Sequence, residues 1–298
     1  MRLLVSDTKK RVGVIGGSGL YAMEAFERVT EHDVETPLGK PSAPIVEGVL
    51  GNTRFFFLPR HGLGHRLPPH RINYRANILA LKHLGVEQVV SISAVGSMQE
   101  HIRPGDIVLV DQFIDRTHGR SQTFFEDIDA VAHVEFAEPI DAQLAQHLHA
   151  SAQAIDCPVH ARGTYLCIQG PQFSTRAESL LYRSWNVDVI GMTNMTEARL
   201  AREAELPYAT MAIATDYDCW RSAEEAVTVE SVLAVLQQGI HKAQRILIKS
   251  AEAFPDVAAS PAISALSRAL LTPVDQLPEQ AMRTLKPLFQ PYLEGKSA

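Results

Sequence analysis

Tyr208-Ala209-Thr210-Met211-Ala212-Ile213-Ala214-Thr215-Asp216-Tyr217-Asp218 joins an apolar run to a polar end. Tyr208 to Ala214 reads as a buried strand, and Thr215 to Asp218 as its exit. A helix follows from about Thr228 to Lys249, where apolar positions 229, 232, 233, 236, 240, 243 and 247 keep the helical period. The same unit recurs along the chain. Val12 to Ile15 runs into Gly16-Gly17-Ser18-Gly19, and Arg54 to Leu58 into Pro59-Arg60-His61-Gly62. Gln88 to Ser93 runs into Ala94-Val95-Gly96-Ser97, Tyr165 to Ile168 into Gln169-Gly170-Pro171, and Val187 to Ile190 into Gly191-Met192-Thr193. After the Pro104-Gly105 turn, Ile107 to Val110 is a further strand.

Helices fill the intervals. Asn73 caps one with Ile78, Leu81 and Leu84 on its inner face and Gly85 at its end. Asp141 to about Ile155 is helical. Thr175 and Glu178 have capping-box spacing, with Ala177, Leu181 and Trp185 as the buried row of the helix they start. Asn194 and Glu197 read as a cap for a helix to about Glu205. This alternation predicts an α/β fold: a single domain with a central mixed or mostly parallel β-sheet flanked by helices, over residues 1–250. Residues 251–298 read as a C-terminal helical tail.

The composition of the 298 residues, 46% hydrophobic and 21% charged, supplies a sizeable core. The formal net charge of -6 argues against a nucleic-acid partner, yet leaves room for one small anion held by a few placed donors. Three cysteines without a CxxC pair suggest neither a disulfide framework nor a zinc site, and fit a reducing, cytoplasmic setting. The opening MRLLVSDTKK has no stretch suited to a signal peptide, and no run of apolar residues is long enough to span a membrane.

In open α/β sheets, ligands bind beyond the carboxyl ends of strands. Five such ends carry small or polar residues: Gly17-Ser18, Arg60-His61, Ser93-Ala94, Met192-Thr193 and Asp216-Tyr217-Asp218. The first four suit an anion. A glycine turn aims N–H groups outward, Ser18, Ser93 and Thr193 add hydroxyls, and Arg60 adds a charge-assisted donor. No Walker pattern accompanies them, so the anion is expected to be free phosphate. Asp216 and Asp218 face one side if the backbone stays extended, and suit a purine: one carboxyl protonates the ring nitrogen, the other accepts from an exocyclic amine. Taken singly, each has a plain structural alternative: a tight turn, a surface arginine, a packed histidine, two solvated acids. Gly17, Gly19 and Ala22 also fit a dinucleotide-binding pattern, but Glu35, where the acid of that pattern belongs, sits in a turn-like stretch without a long apolar strand before it.

At these residues the sequence resembles the trimeric purine nucleoside phosphorylase superfamily, in its methylthioadenosine phosphorylase branch. The matching stretches are VGVIGGSGL (12–20), RHG (60–62), HRINYRANI (70–78), AVGS (94–97), PGDIVLVDQFIDRT (104–117), GPQFSTRAES (170–179), GMTNMTEARLARE (191–203) and ATDYDCW (214–220). The resemblance implies phosphate binding by Ser18, Arg60, His61, Ser93, Ala94 and Thr193. It implies purine stacking by Phe173 beside Ser174, a ribose contact from Met192, and base contacts from Asp216 and Asp218. Val229 and Val232 would line a methylthio pocket, and His133 would reach the 5′ site of a neighbouring subunit in a homotrimer. Gln172 departs from the pattern, which often has arginine there.

The expected activity is phosphorolysis of S-methyl-5′-thioadenosine to adenine and 5-methylthioribose 1-phosphate, with inorganic phosphate as co-substrate and no cofactor or metal. The alternatives are a 6-oxopurine nucleoside or methylthioinosine phosphorylase, and a non-catalytic nucleoside-binding sensor.

Overall fold

The computed structural model describes residues 9–17, 26–221 and 229–293. Among the described residues, the strands are β1 (Lys10–Gly16), β2 (Glu27–His32), β3 (Ile45–Leu50), β4 (Thr53–Pro59), β5 (Gln88–Ser97), β6 (Ile107–Leu109), β7 (Gln112–Arg116), β8 (Thr164–Ile168), β9 (Val189–Gly191) and β10 (Tyr208–Tyr217). The helices are α1 (Tyr74–His83), α2 (Ala142–Gln153), α3 (Arg176–Ser184), α4 (Asn194–Glu203), α5 (Val229–Ser250), α6 (Glu279–Thr284) and α7 (Lys286–Leu293). The strands form one mixed sheet in the order β2-β3-β4-β1-β5-β9-β8-β7, with β10 beside β5 and β6 beside β10.

Local chemistry fixes the helix starts. The Asn73 side chain accepts from Ala76 N–H at 3.1 Å, and Asp141 accepts from Leu144 N–H at 2.8 Å. The expected capping box is present: Thr175 Oγ1 accepts from Glu178 N–H at 3.2 Å while the Glu178 carboxylate accepts from Thr175 N–H at 2.8 Å.

Two expectations about helix faces are overturned. Ala177, Leu181 and Trp185 do not form a buried row: Leu181 is 52% and Trp185 40% exposed. Small Ser179 and the Tyr182 ring turn inward instead. The inner face of α3 meets the polar exit of β10, so a small hydroxyl residue fits where an apolar row does not. Asn194 and Glu197 do not cap α4. Thr193 holds the N-cap position without a side-chain hydrogen bond to the helix's first N–H groups. Asn194 Nδ2 donates to Ser91 Oγ, Tyr208 OH and Thr210 Oγ1, and Glu197 is committed to Arg60.

The tail packs on the same core as the sheet. Leu266, Leu285 and Phe289 are fully buried with the sheet's apolar residues, and a side chain of that size contributes about 1.5–3 kcal/mol when buried. The Glu205 carboxylate accepts from Leu266 N–H at 2.9 Å and from the Tyr292 hydroxyl. Ala132 pairs with Leu270, which ties the 131–133 segment to the tail.

Sheet register leaves a gap beside the central strand. β10 follows one edge of β5 in parallel from Val89 to Ser97. The other edge is taken by parallel β1 up to Ser91, and by antiparallel β9 only from Gly96. Ile92 to Val95 are left without a strand partner on that edge among the described residues. Ala94, deep in the central strand, is consequently exposed. No described helix is long and apolar enough to cross a membrane.

Candidate active site

The gap beside Ile92–Val95 is where four chain exits meet. β1 ends at Gly16, whose carbonyl accepts from Arg60 N–H at 2.9 Å just past the end of β4. β9 enters from the opposite direction: a Cβ on Gly191 would lie 3.1 Å from Val95, so Met192 and Thr193 run on beside the gap. β10 brings Thr215 to Asp218 along the far edge.

Arg60 lies in the floor and is 3% exposed. Its Nε and Nη2 donate to the two oxygens of Glu197, the second at 3.1 Å. Nη2 also donates to Ser91 Oγ at 2.5 Å, and Nη1 to the Ile92 carbonyl at 3.0 Å. The Ile92 carbonyl belongs to the unpaired edge, so the guanidinium takes the place of a strand there. Burial opposes its charge, but Glu197 outweighs that and raises the Arg60 pKa. The pair is therefore close to neutral as a unit, and the anion-binding capacity rests on what surrounds it. Ser93 Oγ is buried without a hydrogen-bond partner among the described residues. Thr193, also buried, gives its hydroxyl to Asn194 Oδ1 at 3.2 Å. His61 Nδ1 lies 2.7 Å from the Leu67 carbonyl. Burial, then the Arg60 charge, push the ring down to about 4. Neutral His61 must donate from Nδ1 to that carbonyl, which leaves Nε2 as an acceptor.

The carboxyl pair sits at the other end of the cleft. A Cβ on Gly96 would lie 3.4 Å from Asp216 Oδ1 and 3.4 Å from Asp218 Cβ, so both acids flank the glycine that β5 presents. Burial pushes the Asp216 carboxyl above the usual range; the Thr215 hydroxyl, donating at 2.7 Å, opposes this, and the charge of Asp218 adds to it. Asp218 accepts from the fully buried Ser179 hydroxyl, and its N–H donates to Ser97 O at 3.1 Å. Beside it, Cys219 Sγ donates to Ser174 O at 3.3 Å. Ser174 Oγ is another buried hydroxyl without a partner, and Phe173 before it is 84% exposed.

The family model of the phosphorylase superfamily matches residues 11–252. The chain belongs to the phosphorylase superfamily. Among superfamily relatives, it is 49% identical over 283 residues to the S-methyl-5′-thioadenosine phosphorylase of Geobacter sulfurreducens, covering 95% of this chain and 99% of that one. It is 50% identical over 269 residues to that of Hyperthermus butylicus, covering 89% and 97%. A crystal structure of a methylthioadenosine phosphorylase from an antarctic soil metagenomic library superposes with a TM-score of 0.89 at 46% identity, covering 94% of this chain and 99% of that chain. The Schistosoma mansoni methylthioadenosine phosphorylase in complex with adenine gives 0.80 at 39% identity, covering 86% and 96%.

Within this superfamily chain, the residues singled out from sequence fall into three groups. Arg60, His61, Ser93, Ala94, Thr193, Met192, Asp216 and Asp218 lie around the gap, with Phe173 and Ser174 on the loop that leads into α3. His133 is exposed on the segment paired with the tail, its N–H donating to Ala269 O at 2.8 Å. Among the described residues, no hydrogen bond, ion pair or ring contact joins its side chain to the gap. Ser18 lies outside the described residues, as do the side chains of Val229 and Val232, whose backbone opens α5.

Sequence reasoning passes over Glu197, Ser179 and Arg120. Glu197 is masked by its cap-like spacing from Asn194. Ser179 carries no signal, being one serine within a helix. Arg120 lies in a loop without periodicity, yet it clasps two strand ends: its guanidinium donates to Gln169 O at 2.6 Å and Met192 O at 2.7 Å. Close packing across that clasp explains Gly170, where a Cβ would come within 2.5 Å of Met192 Sδ and where φ is +62°.

Proposed function

We propose that this phosphorylase catalyses the phosphorolysis of S-methyl-5′-thioadenosine, giving adenine and 5-methylthioribose 1-phosphate, as a pentosyltransferase in purine and methylthio salvage. The observation that carries the proposal is the placement of Ser93 and Gly96 on one strand. The unpartnered hydroxyl and the carboxyl-flanked glycine are three positions apart, or roughly 10 Å along a strand. Side chains three positions apart face opposite sides of a sheet, so what joins them is the unpaired β5 edge between, read with phosphate at one end, a purine at the other and the glycosidic bond in the middle.

The chemistry follows. Breaking the bond builds positive charge on the sugar and negative charge on the purine. Phosphate held by Ser93, Thr193, backbone N–H groups and the remaining Arg60 N–H offsets the first and then attacks the anomeric carbon. Asp216, with its raised pKa, keeps a proton to give to the five-membered-ring nitrogen. Asp218 accepts from the 6-amino group, which favours adenine over a 6-oxopurine. Phe173 stacks on the base, Ser174 adds a hydroxyl beside it, and Met192 backs the ribose. Val229 and Val232 line the 5′ pocket, and Ser18, Ala94 and His61 complete the phosphate site. No cofactor is called for, because phosphate supplies the nucleophile.

The assembly we propose is a homotrimer in which His133 reaches a neighbour's 5′ site. Its support is apolar surface left bare on one chain. Phe173, Leu180, Leu181 and Trp185 are exposed on and beside α3, while Val131 and Leu271 lie near His133. Two unlike patches suit a heterologous contact that closes into a ring. The free cysteines 157, 167 and 219 fit a reducing, cytoplasmic setting.

A panel of methylthioadenosine, adenosine, methylthioinosine and inosine, each with and without phosphate, tests the reading. We expect the highest kcat/KM for methylthioadenosine, and turnover only with phosphate. Binding without turnover would make the protein a sensor.

A further inference from the structure

We propose that Ser179 is the specificity-determining residue behind Asp218: its hydroxyl holds that carboxylate as a hydrogen-bond acceptor, and so sets the base subsite for 6-amino rather than 6-oxo purines. The proposal rests on the reading of Asp218 given above and deepens it.

The placement comes from the helix start. The Thr175–Glu178 capping box fixes the first turn of α3, and Ser179 follows Glu178 directly. Serine hydroxyls inside helices commonly turn back to a carbonyl of the preceding turn. Ser179 instead reaches across to β10's exit and donates to Asp218 Oδ2. It has no solvent exposure. Asp218 is held from behind as well, by its N–H on Ser97 O at 3.1 Å. Among the described residues, Ser179 is the only group that donates to the Asp218 carboxylate. Among the described residues no hydrogen bond reaches Asp218 Oδ1, and Asp218 Cβ lies beside Gly96.

The consequence is a matter of one proton. A donor on a carboxylate stabilises its charged form. An ionised Asp218 offers lone pairs, which meet an amine's N–H but oppose a keto oxygen. A protonated Asp218 would turn a donor toward the keto oxygen. Two neighbouring carboxyls titrate as a pair, and a donor fixed on one of them favours its role as an acceptor. Asp216 accepts from Thr215 at 2.7 Å, but that hydroxyl also lies 3.2 Å from the Val95 carbonyl, which competes for its proton. The Ser179 hydroxyl also lies near the Cys219 thiol, but sulfur is a weak acceptor and competes little. Ser179 therefore keeps Asp218 an acceptor toward the base, while burial and the neighbouring carboxylate raise the Asp216 pKa.

The test is the ratio of kcat/KM for methylthioadenosine over methylthioinosine in wild type, Ser179→Ala, Asp218→Asn and the double variant. Alanine is close to serine in size, so the packing of α3 is retained. We expect Ser179→Ala to lower the ratio by about tenfold, as loss of a hydrogen bond to a charged group implies. In the Asp218→Asn background the same change should leave the ratio alone, because its effect travels through that carboxylate. A wild-type preference for methylthioadenosine that Ser179→Ala leaves intact overturns the Ser179 role alone. That role also falls if Ser179→Ala lowers the ratio equally in both backgrounds. A wild type without that preference overturns the Asp218 reading, and the Ser179 proposal with it.

Discussion

Arg60 and Glu197 form a two-point ion pair beneath the β5 gap, with side chains only 3% and 2% exposed. Glu197 also accepts from Ser91 at 2.8 Å and Tyr208 at 3.0 Å, so the pair is the hub of a polar network inside the sheet. Removing one member of a buried pair strands the other's charge, at a cost of about 3–5 kcal/mol. Arg60→Ala should therefore lower the melting temperature sharply, whatever it does to phosphate. Glu197→Gln is more informative. It keeps hydrogen-bonding capacity but unmasks the guanidinium, so the folded variant should bind phosphate roughly tenfold more tightly while melting earlier. An unchanged phosphate KM in folded Glu197→Gln would mean that the anion does not feel Arg60.

Ser93 separates function from stability. Its buried hydroxyl has no partner. Removing an unsatisfied polar group is close to neutral for the fold. Ser93→Ala should leave the melting temperature level or slightly raised, while phosphate KM rises by roughly 5- to 10-fold and nucleoside KM stays put. A loss of stability with phosphate KM unchanged would make Ser93 a structural residue.

Asp216 gives the pH dependence its sign. Burial raises its pKa, and the Asp218 charge raises it further. The acid form is the active one, so kcat should hold above the ordinary carboxylate range and fall as pH climbs through the raised value. Asp216→Asn should lose about 10²–10⁴-fold in kcat and the alkaline limb with it. Asp218→Asn removes a like charge, lowers the Asp216 pKa, and should move that limb to lower pH. A limb that stays in place in both variants would belong to another group.

Much of this is legible in sequence because it depends on local pattern. The apolar runs of β1, β4, β5, β8 and β10, the capping residues Asn73, Asp141 and Thr175, and the polar strand exits are all readable. What escapes depends on partners distant in the chain. β2 and β7 lie at the margins of the sheet, where exposed or half-exposed residues blur the alternation that marks a strand, and Glu47-Gly48 interrupt the apolar run of β3. The gap at Ile92–Val95 is a matter of register, which no single segment contains. Glu197 lies 137 positions from Arg60, and its spacing imitates a cap. The α3 row Ala177, Leu181 and Trp185 is recognisable as an apolar stripe, but one chain leaves it bare.

Glu203 supplies a stability prediction. Burial pushes its carboxyl up to about 7, against hydrogen bonds from Phe124 N–H and the Thr123 hydroxyl, both at 2.7 Å. The folded protein thus keeps a proton that the unfolded chain releases near the ordinary value of 4.5. Stability from this group is full below the unfolded value and is lost as pH rises through about 7. At about 1.4 kcal/mol per unit, wild type should lose roughly 1–3 kcal/mol between pH 5 and pH 8 from this source. Glu203→Gln should flatten that slope in urea titrations. A slope that persists in the variant would assign it elsewhere.

The mass of the sugar released from methylthioadenosine is the most direct measurement of the proposed reaction. The cleft is read as holding phosphate at Ser93 and Thr193, beneath a base protonated by Asp216, so phosphate and not water should reach the anomeric carbon. We predict 5-methylthioribose 1-phosphate and adenine in equal amounts, with release of either abolished when phosphate is withheld. Free 5-methylthioribose, or adenine released at the same rate without phosphate, would contradict this and make the chain a hydrolase.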